Sequence, residues 1–105
     1  MTLQKLATDI AYHYDAKSLS NQKMTISKLI NMLLAQKCEC PGCGKLLVKG
    51  YTHIDHDHFS GKRHAVLCRY CNIALGNVRD NPNTLVRLAT YVSQARQIDK
   101  RYSVE

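Results

Sequence analysis

The chain has 105 residues, of which 45% are hydrophobic and 22% charged, which suits one small globular domain and excludes a disordered chain. Lys and Arg number 15 against 8 Asp and Glu, and the net charge of +7 favours a polyanion such as nucleic acid as the partner. No apolar run approaches the ~20 residues that span a bilayer, and the start of the chain does not resemble a signal peptide. We therefore expect a cytoplasmic protein, neither secreted nor bound to a membrane, whose five cysteines are reduced and available as metal ligands.

Two helices are predicted in the first third of the chain. Apolar residues within Leu3–Tyr14 recur at the spacing of one helical face. The polar stretch Lys17–Lys23 interrupts this pattern. A second apolar stripe, Ile26–Leu34, follows Thr25, which we predict as its N-cap. Residues 1–37 are therefore predicted as an N-terminal helical extension.

Residues 38–77 are predicted as a core of a different kind. Tyr51–Asp57 and Arg63–Cys68 have the composition of two short strands, and Gly61 can take the positive φ of a hairpin turn between them. A short helix is predicted from Asn72 through Leu75, with the following glycine as its stop. The order strand, strand, helix therefore predicts a small ββα unit.

Residues 78–105 are predicted as one C-terminal helix. Asn81 is a typical N-cap, and Pro82 suits the first helical position. The apolar face of this helix consists of Leu85, Leu88, Ala89, Val92 and Ala95. The predicted fold class is therefore α+β, with N- and C-terminal helices flanking the small core.

Four of the five cysteines form two CxxC pairs, Cys40 with Cys43 and Cys68 with Cys71. Two residues between thiolates let both sulfurs face one tetrahedral zinc at ~2.3 Å. Only nine of the 24 residues between the pairs are apolar, so this segment needs another source of stability. Structural zinc contributes on the order of 10–16 kcal/mol in small domains, and we predict one structural zinc per chain on these four thiols. Cys38 is either a substitute for Cys40 or a separate thiol, and its longer gap to Cys43 favours the second alternative.

A run of carboxylate and imidazole side chains, Asp55-His56-Asp57-His58, stands at the end of the first predicted strand. Strand alternation puts Asp55 and Asp57 on one side and His56 and His58 on the other, unless the turn after the strand intervenes. A carboxylate oxygen binds Mg²⁺ or Mn²⁺, and a neutral imidazole close by takes a proton from water. The run therefore suits hydrolysis assisted by one divalent cation, with Asp55 as a ligand and His56 as the base. Asn72 offers an amide oxygen as a second ligand.

Two other interpretations of this run stay open. His56 and His58 could belong to a second structural zinc site that is completed by His53 or His64. The run could also be a solvated turn. The chain would then be a non-catalytic Cys₄ zinc module that binds nucleic acid, since the same cysteines and positive charge serve that function equally well.

These motifs, in this order, resemble recombination endonuclease VII of phages, a family of HNH (His-Me finger, ββα-metal) nucleases. The resemblance covers about residues 38–77 and rests on the two CxxC pairs, the Asp55–His58 run, Gly61-x-Arg63 and the Asn that follows Cys71. It implies a zinc-stapled ββα-metal core and a metal-dependent DNA endonuclease. The implied substrate is duplex or branched DNA, cut to leave 5′-phosphate and 3′-hydroxyl ends.

The resemblance also implies a role for each residue of the motif. His56 corresponds to the general base, and His58 to a second active-site histidine near the scissile phosphate. Asp55 and Asn72 correspond to the ligands of the catalytic Mg²⁺ or Mn²⁺, and the four paired cysteines to the zinc ligands. A junction-resolving member carries an acidic residue three positions after the motif's Asn, where this chain has Leu75. The resemblance thus implies phosphodiester cleavage more directly than junction resolution.

The predicted partner of the site is DNA, and pairing with a second copy of the chain stays open. The basic residues closest to the motif are predicted to hold the DNA backbone, and they are Lys45, Lys62, Arg63 and Arg69. Cutting both strands of a duplex needs two sites of opposite polarity, which a two-fold homodimer provides. A monomer would nick one strand per encounter, and both states stay open.

Overall fold

The computed structural model describes residues 2–56 and 63–95, with the backbone alone at residues 63 and 64. In chain order its elements are α1 (Leu3–His13), α2 (Ala16–Asn21), α3 (Ile26–Ala35), β1 (Thr52–His56), β2 (Arg63–Cys68), α4 (Arg69–Asn77) and α5 (Pro82–Ala95). The described part of the chain therefore contains five helices and one two-stranded sheet, which confirms the predicted α+β class. The predicted hairpin turn at Gly61 lies outside the described residues.

Side-chain caps begin both α1 and α3. Thr2 accepts a hydrogen bond from the N–H of Lys5, and Thr25 accepts one from the N–H of Lys28, each at 3.1 Å. Thr25 is thereby confirmed as the N-cap of α3. The two helices pack together, and their fully buried apolar side chains are Ala7, Ile10, Ala11, Leu29 and Leu33. Each fully buried Leu or Ile contributes about 1.5–3 kcal/mol, so this pair of helices supplies much of the core.

A short helix, α2, occupies part of the polar stretch that interrupts the apolar pattern. The carboxylate of Asp15 accepts a hydrogen bond from the N–H of Lys17 at 3.0 Å and caps this helix. Leu19 is its one buried residue, with 3% of its surface exposed. A helix of six residues with a single buried side chain shows no apolar periodicity, so the sequence pattern does not predict it.

The two strands pair in antiparallel fashion, and their register changes near one end. Pairing is regular from Thr52, opposite Cys68, as far as Asp55. It then shifts by one residue at His56, so that His64 of β2 has no opposite residue. Such a β-bulge bends the strand and changes the direction of nearby side chains.

The side-chain amide of Gln36 joins the end of α3 to β2. Its Oε1 accepts a hydrogen bond from the Val66 N–H at 2.9 Å, and its Nε2 donates to the Val66 carbonyl oxygen at 2.7 Å. Gln36 therefore satisfies both backbone groups of Val66, as a neighbouring strand would. Since Val66 and Ile54 are buried, the sheet is anchored at the middle of its two strands.

α4 begins directly after β2, at Arg69. The predicted start at Asn72 and the predicted stop at Gly76 were both wrong, because Asn72 lies in the first turn and Gly76 lies inside the helix. The N–H of Arg69 donates to the carbonyl oxygen of Tyr51 at 2.9 Å. This contact between distant parts of the chain helps to set where the helix starts, and the local sequence does not reveal it.

The N-terminus of α5 agrees with its prediction. The side-chain oxygen of Asn81 accepts a hydrogen bond from the N–H of Asn83 at 2.9 Å, and Pro82 is the first helical residue. Within α5, which the structure describes throughout, no residue is buried. No helix in the described ranges combines the length and the apolar character needed to cross a membrane.

The chain divides into two compact units, Met1–Ile73 and Ala74–Glu105. The first unit contains the sheet, the helices α1 to α3 and the first turn of α4, and the second unit contains α5. The division into segments 1–37, 38–77 and 78–105 stays a prediction. Every site described below lies within the first unit.

Candidate functional site

The four paired cysteines converge in the first unit. The Sγ atoms of Cys40, Cys43, Cys68 and Cys71 all lie within 4.8 Å of one another, and those of Cys43 and Cys68 are 3.8 Å apart. Four sulfurs bound at ~2.3 Å to a tetrahedral zinc would themselves be about 3.8 Å apart. The cluster therefore fits one structural zinc ion, with all four positions taken by protein.

Backbone groups constrain these thiols. The N–H of Cys68 donates to the Sγ of Cys40, and the N–H of Cys71 donates to the Sγ of Cys68, each at 3.4 Å. A Cβ atom at Gly42 would stand 2.8 Å from the Sγ of Cys71. Glycine at this position therefore lets the chain pass close to a metal ligand.

The thiols differ in how readily they lose a proton. Burial raises the pKa of Cys40, but hydrogen bonds from the backbone N–H groups of Cys68, Cys43 and Gly42 outweigh it and bring that pKa down to about 6. Burial, reinforced by hydrogen bonds to the neighbouring thiols, raises the pKa of Cys71. These backbone N–H groups favour the thiolate form of Cys40, which is the form that binds a cation. Metal binding would then release the remaining thiol protons.

Cys38 lies apart from this cluster. It is fully buried, and its Sγ donates to the carbonyl oxygen of Leu3 at 3.7 Å. Burial raises the pKa of its thiol. The positive φ values of Lys37 and Cys38, 53° and 56°, form the turn that follows α3. Cys38 is therefore a separate buried thiol, as the CxxC spacing favoured.

A cavity of about 400 Å³ opens beside the end of β1. Asp55, His56 and Asn72, three of the predicted site residues, all line it. The first two belong to β1 and the third to the first turn of α4. Two elements that are separate in the sequence therefore bring a carboxylate, an imidazole and an amide to one cavity.

Asp55 and His56 were expected on opposite sides of a regular strand, but both line this cavity. The register of the sheet shifts between these two residues. A bulge breaks the alternation of side chains, and such bulges are common beside active sites. Four consecutive residues of β1, from His53 to His56, line the cavity, so the lining alone does not decide the direction of each side chain, and the alternation stays a prediction. The extra residue in β2 leaves no mark in the local sequence pattern, and the shift in register was not predicted.

Five further residues line the same cavity, among them Tyr14 and His53. His53 stands two residues before Asp55, and strand alternation alone could have placed it on the same face. The hydroxyl of Tyr14 lies 2.7 Å from the Oγ1 of Thr52. Burial raises the pKa of Tyr14, and the hydrogen bond with Thr52 offsets part of this rise. Tyr14 ends the apolar stripe of the first predicted helix, and this position in the sequence predicts only a packing role.

The other predicted site residues are distributed differently. Lys45 and Arg69 line a second cavity, of about 450 Å³, beside the cysteine cluster. Arg63 is the first residue of β2. Lys62 and His58 lie outside the described residues. Their predicted roles, and those of the basic residues as a group, stay predictions.

The fold and the sites together define a small α+β protein with a four-cysteine cluster that suits a zinc ion and an open polar cavity lined by residues of β1 and of the first turn of α4. A family model described as recombination endonuclease VII matches residues 13–94, which is more than half of the chain. The chain therefore belongs to the recombination endonuclease VII family, and this membership implies a nuclease that acts on DNA. The match extends beyond residues 38–77 into the helices on both sides. Comparisons with curated proteins and with solved structures gave no match.

Proposed function

We propose that the protein is a metal-dependent DNA endonuclease of the HNH (His-Me finger) type, which leaves 5′-phosphate and 3′-hydroxyl ends on duplex or branched DNA. One observation carries the proposal: Asp55, His56 and Asn72 line a single cavity in a chain of an endonuclease family. A carboxylate, an imidazole and an amide oxygen are suitable groups for metal-assisted hydrolysis of a phosphodiester.

His56 is the general base in this proposal. It ends β1 and is exposed to solvent, so water can approach its imidazole. A neutral imidazole nitrogen takes a proton from the water that attacks the phosphorus, which makes the oxygen a stronger nucleophile. His58, the second histidine of the motif, is proposed to act near the scissile phosphate.

Asp55 and Asn72 are proposed to hold the catalytic Mg²⁺ or Mn²⁺. Both offer hard oxygen donors to the same cavity, and a magnesium site in proteins commonly uses one or two carboxylates together with waters and substrate phosphate. When bound there, the cation supplies positive charge that stabilises the transition state and the departing 3′ oxygen. Leu75, which takes the place of an acidic residue, adds no ligand.

The zinc centre would support this site through the covalent chain. Cys68 ends β2, and Cys71 directly precedes Asn72 in the first turn of α4. A zinc bound to both thiols fixes the path of the backbone from the strand to the helix. The amide of Asn72 is then held beside β1, and loss of zinc should displace a catalytic ligand as well as unfold the segment.

The proposal includes a homodimer in the cytoplasm. Two chains related by a two-fold axis present two sites of opposite polarity, one for each DNA strand. Apolar side chains of α5 are exposed and offer contact surface, among them Val86 at 64% and Tyr91 at 59%. Four zinc-binding thiols also require a reducing compartment such as the cytoplasm, which for a phage protein is that of the host cell.

Incubation of the zinc-loaded protein with supercoiled plasmid and Mg²⁺ tests this function. We expect cleavage by the wild type and a rate at least ~100-fold lower for His56→Ala, which is the low end for the loss of a general base. Zinc content and thermal unfolding should not change. Asp55→Asn should also lose activity, with partial recovery in Mn²⁺. Asp9→Asn is a matched control, because Asp9 forms only a surface ion pair with Lys5 at 3.3 Å.

The products separate the alternatives. Linear plasmid early in the reaction, from protein that light scattering shows to be dimeric, supports paired cuts by a dimer. Nicked circles alone, from a monomer, would contradict the dimer. Cleavage by His56→Ala at the wild-type rate would refute the proposed site. A zinc-loaded wild type that binds DNA without cutting it would favour the non-catalytic zinc module.

A further inference from the structure

The second cavity, beside the cysteine cluster, has an unusually exposed apolar lining. Leu46, Val48, Tyr51 and Tyr70 all line it, and their exposed fractions are 56%, 59%, 56% and 81%. We call this cavity of about 450 Å³ the tyrosine groove. Two aromatic and two aliphatic side chains around one opening form an apolar patch, and such a patch on a small protein commonly marks a binding surface.

Hydrogen bonds fix the backbone around the tyrosine groove. The N–H of Arg69 donates to the carbonyl oxygen of Tyr51 at 2.9 Å. The N–H of Tyr51 donates to the carbonyl oxygen of Val48 at 3.0 Å. Leu46 forms an antiparallel bridge with Glu39. Surfaces that are already ordered lose little entropy when a ligand binds, which favours the stacking of a flat ligand on the aromatic rings.

The charge at the tyrosine groove is close to balanced when zinc is bound. Zinc on four thiolates carries a formal charge of about −2. Lys45 and Arg69, which also line the groove, offset this charge, so a polyanion is not repelled. With little net charge left, the attractive elements are the apolar and aromatic surfaces. These surfaces suit a nucleobase better than a phosphate group.

The tyrosine groove adjoins the proposed active site along two segments of the chain. Tyr51 stands two residues before His53, which lines the active-site cavity, and the chain spans at most about 7 Å over that distance. Arg69 precedes Asn72 by three residues of helix, a rise of about 4.5 Å. Successive nucleotides of a DNA strand are about 3.4 Å apart along the helix axis. A strand with one phosphate in the cavity therefore has a base one or two nucleotides away within reach of the groove.

We propose that the tyrosine groove binds an unpaired nucleobase of the DNA, one or two nucleotides from the phosphodiester bond that is cut. This inference rests on the proposed endonuclease function. In a paired duplex both faces of a base are covered by its neighbours, so only an unpaired base can stack on Tyr51 or Tyr70 without first being extruded. The tyrosine groove is thus a base-binding subsite beside the proposed active site, with Tyr51 and Tyr70 as its stacking residues.

Binding measurements with zinc-loaded protein test this inference, with Ca²⁺ in place of Mg²⁺ so that DNA is not cut. The probes are a fully paired duplex and the same duplex with one unpaired 2-aminopurine, whose fluorescence falls when the base stacks. Base stacking on one aromatic side chain corresponds to about 5- to 150-fold in affinity. We expect Tyr70→Ala and Tyr51→Ala to lose that factor and the fluorescence change on the unpaired probe, while their affinity for the paired duplex changes by less than about twofold.

Matched variants separate stacking from other effects. Tyr70→Phe and Tyr51→Phe keep the ring and should bind the unpaired probe like the wild type. Tyr12→Ala removes a tyrosine that is 67% exposed on α1, outside the groove, and should change nothing. Zinc content is measured for every variant, and Tyr70 carries the test if Tyr51→Ala loses zinc, because Tyr70 is the more exposed of the two.

Three outcomes would overturn the inference. The first is unchanged binding of the unpaired probe by Tyr70→Ala, and the second is an equal loss on both probes. The third is a difference in oligomeric state between Tyr70→Ala and the wild type, measured by light scattering, which would make the groove a contact between copies of the chain. Failure of the proposed function is distinguished by plasmid cleavage, because His56→Ala would then cut like the wild type whatever the binding data show.

Discussion

At the four-cysteine centre the backbone constrains the reactive atoms closely, whereas at the cavity beside β1 the polar side chains stand at the open end of a strand. The thiols of Cys40 and Cys68 accept hydrogen bonds from backbone N–H groups, and Cys40 is fully buried. His56 is exposed at a bulge in the sheet. The first arrangement keeps all four ligand positions for the protein, and the second leaves room for water and substrate. Changes at the first should therefore cost folding, and changes at the second should cost activity.

The largest expected effect is loss of the zinc centre. Cys40→Ser or Cys71→Ser removes one of four thiolates, and structural zinc contributes on the order of 10–16 kcal/mol of apparent binding free energy. We expect these variants to lose zinc, measured by elemental analysis, and to lose the cooperative thermal unfolding of the first unit. A chelator should act in the same way on the wild type.

Cys38→Ser is the matched control for this prediction. Its thiol is buried but lies outside the cluster, with the Leu3 carbonyl oxygen as its hydrogen-bond acceptor. The variant should retain one zinc per chain and the wild-type cleavage rate. Zinc loss in Cys38→Ser, or normal folding of zinc-free Cys40→Ser, would contradict the assignment of the ligands.

A smaller effect is expected where the backbone passes the centre. Gly42→Ala would put a Cβ 2.8 Å from the Sγ of Cys71, and a metal-bound sulfur cannot move away freely. Such overpacking costs about 1–3 kcal/mol, which should appear as weaker zinc binding in a competition with a chromogenic chelator.

Gly76→Ala is the comparison variant, and its expected effect on stability has the opposite sign. Gly76 lies inside α4, and a Cβ there meets no atom within 4 Å. Alanine should stabilise this helix by about 0.5–1 kcal/mol relative to glycine, without any change in zinc affinity. Equal zinc affinity in Gly42→Ala and the wild type would show that zinc binding does not require a glycine where the backbone passes Cys71.

The sequence predicts the four-cysteine centre more completely than it predicts the cavity beside β1. Two thiols at CxxC spacing can bind one metal ion whatever residues surround them. The spacing alone therefore predicts the four ligands of the centre, which are Cys40, Cys43, Cys68 and Cys71. The cavity depends on contacts between distant segments. The shift in register beside Asp55 and His56 arises from an extra residue on the opposite strand, which the local pattern does not encode.

The helices show the same distinction. A continuous apolar stripe behind a capping side chain marks α3, and Thr25 begins it as predicted. α2 has a single buried residue and no periodic signal. α4 begins at Arg69, whose N–H is bound by the distant Tyr51 carbonyl oxygen, so its start was predicted three residues too late. Local patterns therefore predict the elements that carry their own signal, and tertiary contacts decide the rest.

Another small effect is expected at Tyr14, which lines the cavity and bonds to the buried Thr52. Tyr14→Phe removes the hydroxyl that lies 2.7 Å from the Oγ1 of Thr52, a side chain on a residue that is only 9% exposed. The loss of one such hydrogen bond should lower the free energy of unfolding by about 1 kcal/mol, measured by denaturant titration. Zinc content should be unchanged, because the hydroxyl that is removed belongs to Tyr14, which is not part of the cysteine cluster.

The pH dependence of stability gives a sharper test of the same residue. Burial raises the pKa of Tyr14 in the folded protein, so above about pH 10 the unfolded chain loses this proton first. The stability contributed by the neutral phenol is therefore complete below about pH 10 and falls as the pH rises through the folded pKa. In Tyr14→Phe this part of the alkaline decline should be absent, while Tyr12→Phe, which changes an exposed tyrosine, should keep it. An alkaline decline of equal size in Tyr14→Phe and the wild type would show that Tyr14 ionises as readily in the folded protein as in the unfolded chain.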